Sequence, residues 1–181
     1  MKGLVFNITE KYITATHGED VWFKSVKETG RDPLEPFVGP GTYEDSELVA
    51  IIGACCTMVG QSIHRFLFEL GRFSFKQLAN RHPEFLAGYT HPKPFLLSVN
   101  DIIHVEVNKL YQHAYLPSFK YKNEASDELI IIYHSKRKLY DFMEGLIAGV
   151  SDYFNIGINT TKNIYEESGA EHCIYHMKFN T

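Results

Sequence analysis

Glu128-Leu-Ile-Ile-Ile-Tyr-His-Ser-Lys-Arg137 is the stretch on which the fold turns. It is rich in β-branched residues and reads as a strand from Glu128 to Ser135. Everything before it has helical texture, whereas strands and one further helix follow it. Successive strand residues point to opposite faces, so Leu129, Ile131, Tyr133, Ser135 and Arg137 share one side. The apolar end of that side enters a core. The other end sets out a phenol, a hydroxyl and a guanidinium in a row. Arginine forks onto a carboxylate or phosphate, and Tyr and Ser donate to the same oxygens. The row reads either as a receptor for an anionic group at the edge of an apolar cavity or as a strand end reaching solvent.

Upstream, Leu4 to about His17 is amphipathic, with Val5, Ile8, Tyr12 and Ala15 at helical spacing. Gly18 stops this helix, and Glu19-Asp20 open a second that runs toward Gly30. Arg31 to Gly41 holds three prolines and two glycines, a loop and a candidate hinge between subdomains. Asp45 or Ser46 caps a third helix bearing Leu48, Ile51, Ile52, Cys55 and Val59, ended by Gly60. Ser62 starts a fourth, which Gly71 interrupts and which resumes toward Leu78. A long helix is expected from Phe95 to about His113, with Pro117 forbidding its continuation.

Downstream, Lys138 to Phe154 returns to helical spacing through Leu139, Phe142, Met143, Leu146, Ile147 and Val150. Gly157–Tyr165 and Cys173–Asn180 read as two strands joined through Glu166-Glu167-Ser168-Gly169. Helices first, then strands around one helix, is an α+β order. Residues 1–181 read as one domain, with a helical subdomain over about 1–60 and an α+β subdomain over about 61–181.

Composition narrows the function. Among 181 residues, 18 Lys and Arg stand against 22 Asp and Glu, a formal charge of −4. Nucleic-acid binding calls for a basic surplus or stripe, so it is not expected. No apolar run approaches the ~20 residues that span a bilayer, and no membrane is expected. The opening Met1–Phe6 is too soon interrupted by Asn7, Thr9 and Glu10 for a signal peptide. Three cysteines, two of them adjacent, make no disulfide framework, and a cytoplasmic location is expected. The unusual quantity is aromatic content, 14%, with 13 Phe and 11 Tyr. Either the core is large and aromatic, or something flat sits in it.

Within the long helical candidate, His104 lies in Ile102-Ile-His-Val-Glu-Val107. An imidazole among apolar residues is either a satisfied core histidine or a metal ligand. His172-Cys-Ile-Tyr-His176 looks like a fragment of a metal site. A structural zinc needs about four ligands, however, and strand alternation sets both histidines opposite Cys173. His17, His64, His82, His91 and His113 lie near helix ends or in loops and read as surface. Cys55-Cys56, in an apolar helix, reads as a pair of buried, inert thiols. Nucleophile elbow, phosphate-binding glycine loop and paired carboxylates in apolar context are all lacking, so no enzyme is expected.

His104 with its following Val-Glu-Val-Asn-Lys-Leu-Tyr, Pro117, and the Tyr133-x-Ser135-x-Arg137 row together resemble the H-NOX family. These are haem-binding nitric oxide and oxygen sensor domains related to the haem domain of soluble guanylate cyclase. Met1-Lys-Gly3, Gly18-Glu-Asp-Val-Trp22, Leu70-Gly-Arg72 and Glu144-Gly-Leu146 also fit, and the resemblance runs end to end. It implies the H-NOX fold and a stand-alone sensor. It implies haem b, with His104 as the iron ligand, the only metal site expected. Tyr133, Ser135 and Arg137 would hold the propionates, and Pro117 would press on the porphyrin. The distal wall would come from Val5, Thr9, Ser74, Phe75, Leu78, Phe142 and Leu146.

Oxygen-binding members carry a distal tyrosine where Phe142 stands. A hydrogen bond to bound oxygen contributes about 0.5–1.5 kcal/mol net, more when the acceptor is charged. A phenyl ring offers none, Tyr140 lies about 200° away around the helix, and Thr9 and Ser74 are the remaining donors. The resemblance therefore implies binding of nitric oxide and carbon monoxide without stable oxygen binding. Nitric oxide would weaken the iron–His104 bond, release the helix, and shift the helical part against the sheet-bearing part. The output would pass to a separate partner, a sensor histidine kinase or a cyclic-di-nucleotide enzyme. Some members carry a zinc site of cysteines and a histidine. Here only Cys173 remains, with Tyr140, Lys162 and Tyr165 at the other places, so no zinc is expected. Two alternatives stand beside this reading. One is a domain of the same fold that holds a different apolar small molecule. The other is a haem peroxidase, for which no distal His–Arg pair is evident.

Overall fold

A computed structural model describes residues 1–111, 114–167 and 169–180. His113 and Ser168, read above as surface and as part of a turn, lie outside the described residues. The chain divides into two compact units, Met1–Leu70 and Gly71–Thr181.

The first unit holds α1 (Gly3–His17), α2 (Glu19–Glu28), α3 (Asp45–Val59) and the start of α4 (Ile63–Arg81). Its core is Phe6, Ile13, Trp22, Val26, Ile51, Phe66 and Leu70. Glu44 precedes α3 with no side-chain cap, so Asp45 and Ser46 are first-turn residues and not the cap expected of them. Gly60 ends α3 at φ 67°, a left-handed conformation suited to glycine.

The proline-rich loop folds back on α1. The Gly3 and Leu4 amides donate to Gly41 and Gly39 carbonyls at 2.9 and 3.0 Å. Arg31 lies over the Phe37 ring at 4.3 Å. A Cβ on Gly3 would sit 2.1 Å from the Val38 carbonyl oxygen, so only glycine permits this approach. The loop is a strap inside the first unit. The expected hinge between subdomains is therefore not located there.

The second unit contains the rest of α4, α5 (Pro92–Ser98), a π turn (Val99–Ile103), α6 (His104–Leu110) and α7 (Tyr140–Phe154). Its strands are β1 (Ser118–Lys122), β2 (Glu128–His134), β3 (Ile158–Glu167) and β4 (Ala170–Phe179). They form one antiparallel sheet in the order β1-β2-β4-β3. Alternation along β2 and β4 buries Leu129, Ile131, Tyr133, Cys173, Tyr175 and Met177 in one core with Met143, Ile147 and Val150 of α7. The α+β class holds.

Three local expectations change. Gly71 does not interrupt α4, which runs unbroken from Ile63 to Arg81. A Cβ on Gly71 would meet the Phe142 carbonyl oxygen at 2.1 Å. The glycine therefore permits α7 to approach, and its roughly 1 kcal/mol helix penalty is offset by that packing. The single helix expected from Phe95 to His113 is α5, a π turn and α6. Strand β1 was not expected at all. It is short, and its outward residues Lys120 and Lys122 mask the inward Phe119 and Tyr121.

Candidate functional site

Strand β2 delivers Tyr133 to the core, and the chain then turns. Ser135 and Arg137 lie beyond the strand end at His134, so the row is completed by a turn and not by a continuous strand face. The Lys138 amide closes that turn on the Ser135 carbonyl at 3.1 Å, and the Arg137 amide donates to Ser135 Oγ at 3.2 Å. Tyr133 and Ser135 are buried. Burial pushes the Tyr133 phenol up, against a lowering hydrogen bond with Ser135. The Arg137 guanidinium donates to the Tyr115 carbonyl at 2.7 Å and stacks over the Tyr115 ring at 4.9 Å. The phenol near the strand end is thus followed by the hydroxyl and the guanidinium in the turn. Pro117 stands one step beyond the Ser118–His134 pair.

His104 opens α6 immediately after the π turn. Burial lowers its pKa to about 4, so the ring is uncharged at neutral pH. Its Nδ1 is enclosed and has no hydrogen-bond partner. Its ring lies 5.3 Å from that of Phe119, which lies 5.8 Å from that of Tyr133. Phe119 thus joins the candidate metal ligand to the candidate anion receptor. Sequence reading missed Phe119, Tyr121, Asn100 and Tyr115. The alternation of aromatic and lysine residues over 118–122 was the available signal for the first two.

The seven distal candidates are spread over both units. Phe142, half-buried, and Leu146, packed against the core, belong to α7. Ser74, Phe75 and Leu78 belong to the second unit's part of α4. Ser74 is buried and Leu78 half-buried. Phe75 sits in the core, edge-on to Phe95 and Tyr153 at 5.8 and 6.0 Å. Val5 and Thr9 belong to α1 of the first unit. The Thr9 hydroxyl is fully buried and donates to the Val5 carbonyl at 2.9 Å.

Four residues stand where the resemblance would put a zinc site. Cys173 is buried, and burial raises its thiol pKa. Lys162 bonds to Asp141 and, at 2.6 Å, to Glu144. The Tyr140 hydroxyl donates to Glu171 at 2.7 Å. Tyr165 stacks on His172 at 5.4 Å. Among the described residues, no three His, Cys, Asp or Glu side chains gather as metal ligands would. Among the described residues, no single helix is long and apolar enough to cross a membrane.

A neutral imidazole with an unpartnered Nδ1, beside an aromatic row that ends in a turn bearing a hydroxyl and a guanidinium, points to a class: an α+β domain whose residues would suit a planar, anionic metal cofactor. The haem-NO-binding (HNOB) family model matches residues 2–162, and the chain belongs to that family. Solved structures agree over the whole chain. An H-NOX protein from S. oneidensis in the Fe(II)NO ligation state is 27% identical, with TM-score 0.91 and full coverage of both chains. An Fe(II) unliganded H-NOX protein from K. algicida is 26% identical, with TM-score 0.90, covering 100% of this chain and 97% of its own. A mutant H-NOX of T. tengcongensis is 27% identical, with TM-score 0.91, covering 100% and 98%. A search of curated proteins gave no match. The residues present fit a haem: the imidazole is uncharged with an unpartnered nitrogen, and the turn offers cationic and hydroxyl donors.

Proposed function

We propose that this chain is a haem-based nitric oxide sensor in which His104 is the iron ligand and Tyr133, Ser135 and Arg137 receive the propionates. The observation that carries this reading is the placement of His104, uncharged and with an unpartnered Nδ1, one aromatic ring away from Tyr133. Haem b, when bound, supplies a ferrous iron that takes up nitric oxide and carbon monoxide. Every further role falls to side chains. Arg137 neutralises carboxylate charge while Tyr115 fixes its orientation. Pro117, rigid just before β1, would press on the cofactor.

Phe142 has no hydrogen to donate, and the Thr9 hydroxyl already donates to the Val5 carbonyl. Of the other residues that the resemblance assigns to the distal wall, Val5, Phe75, Leu78 and Leu146 have no polar hydrogen, and Ser74 has a hydroxyl. Oxygen, which needs a donor, is therefore not held stably. With haem bound, His104 would hold the iron, and α6 would relax where nitric oxide weakened or broke that hold. The differential affinity of the gas for the two arrangements is the signal. It passes to a separate partner, a sensor histidine kinase or a cyclic-di-nucleotide enzyme, in the cytoplasm. The chain performs no catalysis of its own and binds no structural zinc. The helical part over about 1–60 and the part over about 61–181 act as the two subdomains.

The test is an absorption spectrum of the reduced protein, first without gas, then in air, then with nitric oxide. A Soret band unchanged by air and shifted by nitric oxide is expected. A stable oxygen-bound spectrum overturns the Phe142 reasoning. Absence of a Soret band after expression with ample haem favours a different apolar ligand.

A further inference from the structure

The π turn decides which way His104 points. At about 100° per residue, an unbroken α-helix would set His104 about 180° around from Phe95 and about 80° from Leu96. A π turn takes up one residue more than an α turn and so sets the rest of the helix back by about 100°. His104 then falls within about 20° of Leu96 and about 80° of Phe95. Both Phe95 and Leu96 are buried. The extra residue thus turns His104 from the far side of the helix toward the core side.

A π turn is costly, so something must hold it. Asn100 lies within it and is tied twice to edge strand β1. Its backbone amide donates to the Tyr121 hydroxyl at 3.3 Å, and its side-chain oxygen accepts from the Phe119 amide at 3.2 Å. Its own Nδ2 donates to Asp101 at 2.6 Å, which fixes the side-chain orientation. Phe119, held by this tie, carries the ring that lies against His104. Tyr121 is partly buried and packs on the core, so its hydroxyl has little freedom to leave. The other end of the same helical run is also moored, because Lys93 at the start of α5 donates to the Ala125 and Ser126 carbonyls.

We infer that Asn100 and Tyr121 are positioning residues, forming a stay that keeps the π turn in place and so sets the direction and tension of His104 toward its metal. This inference rests on the proposed role of His104. Losing the Tyr121 acceptor lets the turn relax toward regular helix and swings the imidazole away.

The test uses the whole haem-loaded chain and the variants Tyr121→Phe and Asn100→Ala, the second guarding against misfolding of the first. Two quantities are read: hydrogen exchange at the Asn100 amide, with and without haem, and the iron–histidine stretching band of the ferrous protein by resonance Raman. Tyr121→Phe is expected to speed exchange at Asn100 by about 2- to 10-fold, the loss of one hydrogen bond, and to lower the band frequency. Tyr175→Phe removes a buried phenol hydroxyl elsewhere and is expected to lower thermal stability without moving the band. A band unmoved or raised in both variants overturns the stay. His104→Gly separates the two readings. If it leaves the band in place, the ligand assignment fails and the stay with it. If it abolishes the band while both Tyr121→Phe and Asn100→Ala leave the band unmoved or raised, only the stay fails.

Discussion

The Tyr175 hydroxyl, on the buried face of β4, donates to the Tyr140 carbonyl at 2.8 Å at the start of α7. Tyr140 reaches back, and its own hydroxyl bonds to Glu171 of β4. The two tyrosines thus lock strand to helix in both directions. Tyr175→Phe is expected to cost about 1 kcal/mol, the net value of one hydrogen bond, read as a lower midpoint in thermal unfolding. An unchanged midpoint would mean that water replaces the lost contact.

Helices α4 and α7 touch through glycine. A Cβ on Gly149 would lie 2.5 Å from Phe75 Cβ and 3.0 Å from the Arg72 carbonyl oxygen. Neither atom is the free end of a flexible side chain. Gly149→Ala is expected to destabilise by about 1–3 kcal/mol through overpacking, despite alanine's better helix propensity. Denaturant titration decides the sign.

High pH is expected to unfold this protein through its phenols. Burial pushes Tyr12 and Tyr121 up to about 12 from an ordinary value of 10.0, and Tyr175 further still. A raised native value means that the folded state keeps protons which the unfolded state has lost. That stability is complete below about pH 10 and is lost as pH climbs toward 12 and beyond. Phenolate absorbance is expected to rise together with loss of helical circular dichroism above pH 10. Full titration of all tyrosines at pH 10 in a folded chain would refute this.

Arg137 bonds and stacks on Tyr115 at once. Charge-assisted hydrogen bonds contribute about 1.5–3 kcal/mol. Arg137→Ala is therefore expected to speed haem loss by about tenfold or more, measured by transfer to a haem-scavenging globin. Arg137→Lys restores only part, because an ammonium cannot fork onto a carboxylate. Equal retention in all three proteins would remove Arg137 from the propionate site.

Phe142→Tyr adds a hydroxyl to the ring proposed to face the gas. The ferrous variant is expected to show an oxygen-bound spectrum in air, in contrast to the parent. A spectrum unchanged by air would show that the ring at this position does not face the gas.

Periodicity made most of this architecture legible. Alternation in Leu129, Ile131 and Tyr133 gave the buried face of β2, and α1, α2 and α7 begin and end within a few residues of their expected bounds. The candidate site was legible where its residues are local: Tyr133 lies near the end of β2, and Ser135 and Arg137 follow in the turn. What could not be read depends on partners distant in sequence. Gly71 looks like a helix breaker until the Phe142 carbonyl is brought beside it. Asn100 looks like an ordinary helical residue until β1 accepts and supplies its hydrogen bonds. Strand β1 stayed hidden because five residues with alternating lysines carry little apolar signal.

The three cysteines are free and buried, Cys55 and Cys56 in the first unit and Cys173 in the second. Burial raises the pKa of each thiol and keeps it protonated and unreactive while the chain is folded. Each unit therefore carries a native stopwatch. The rate at which a thiol-modifying reagent marks Cys55 and Cys56, compared with Cys173, times the opening of one half against the other without any engineered label.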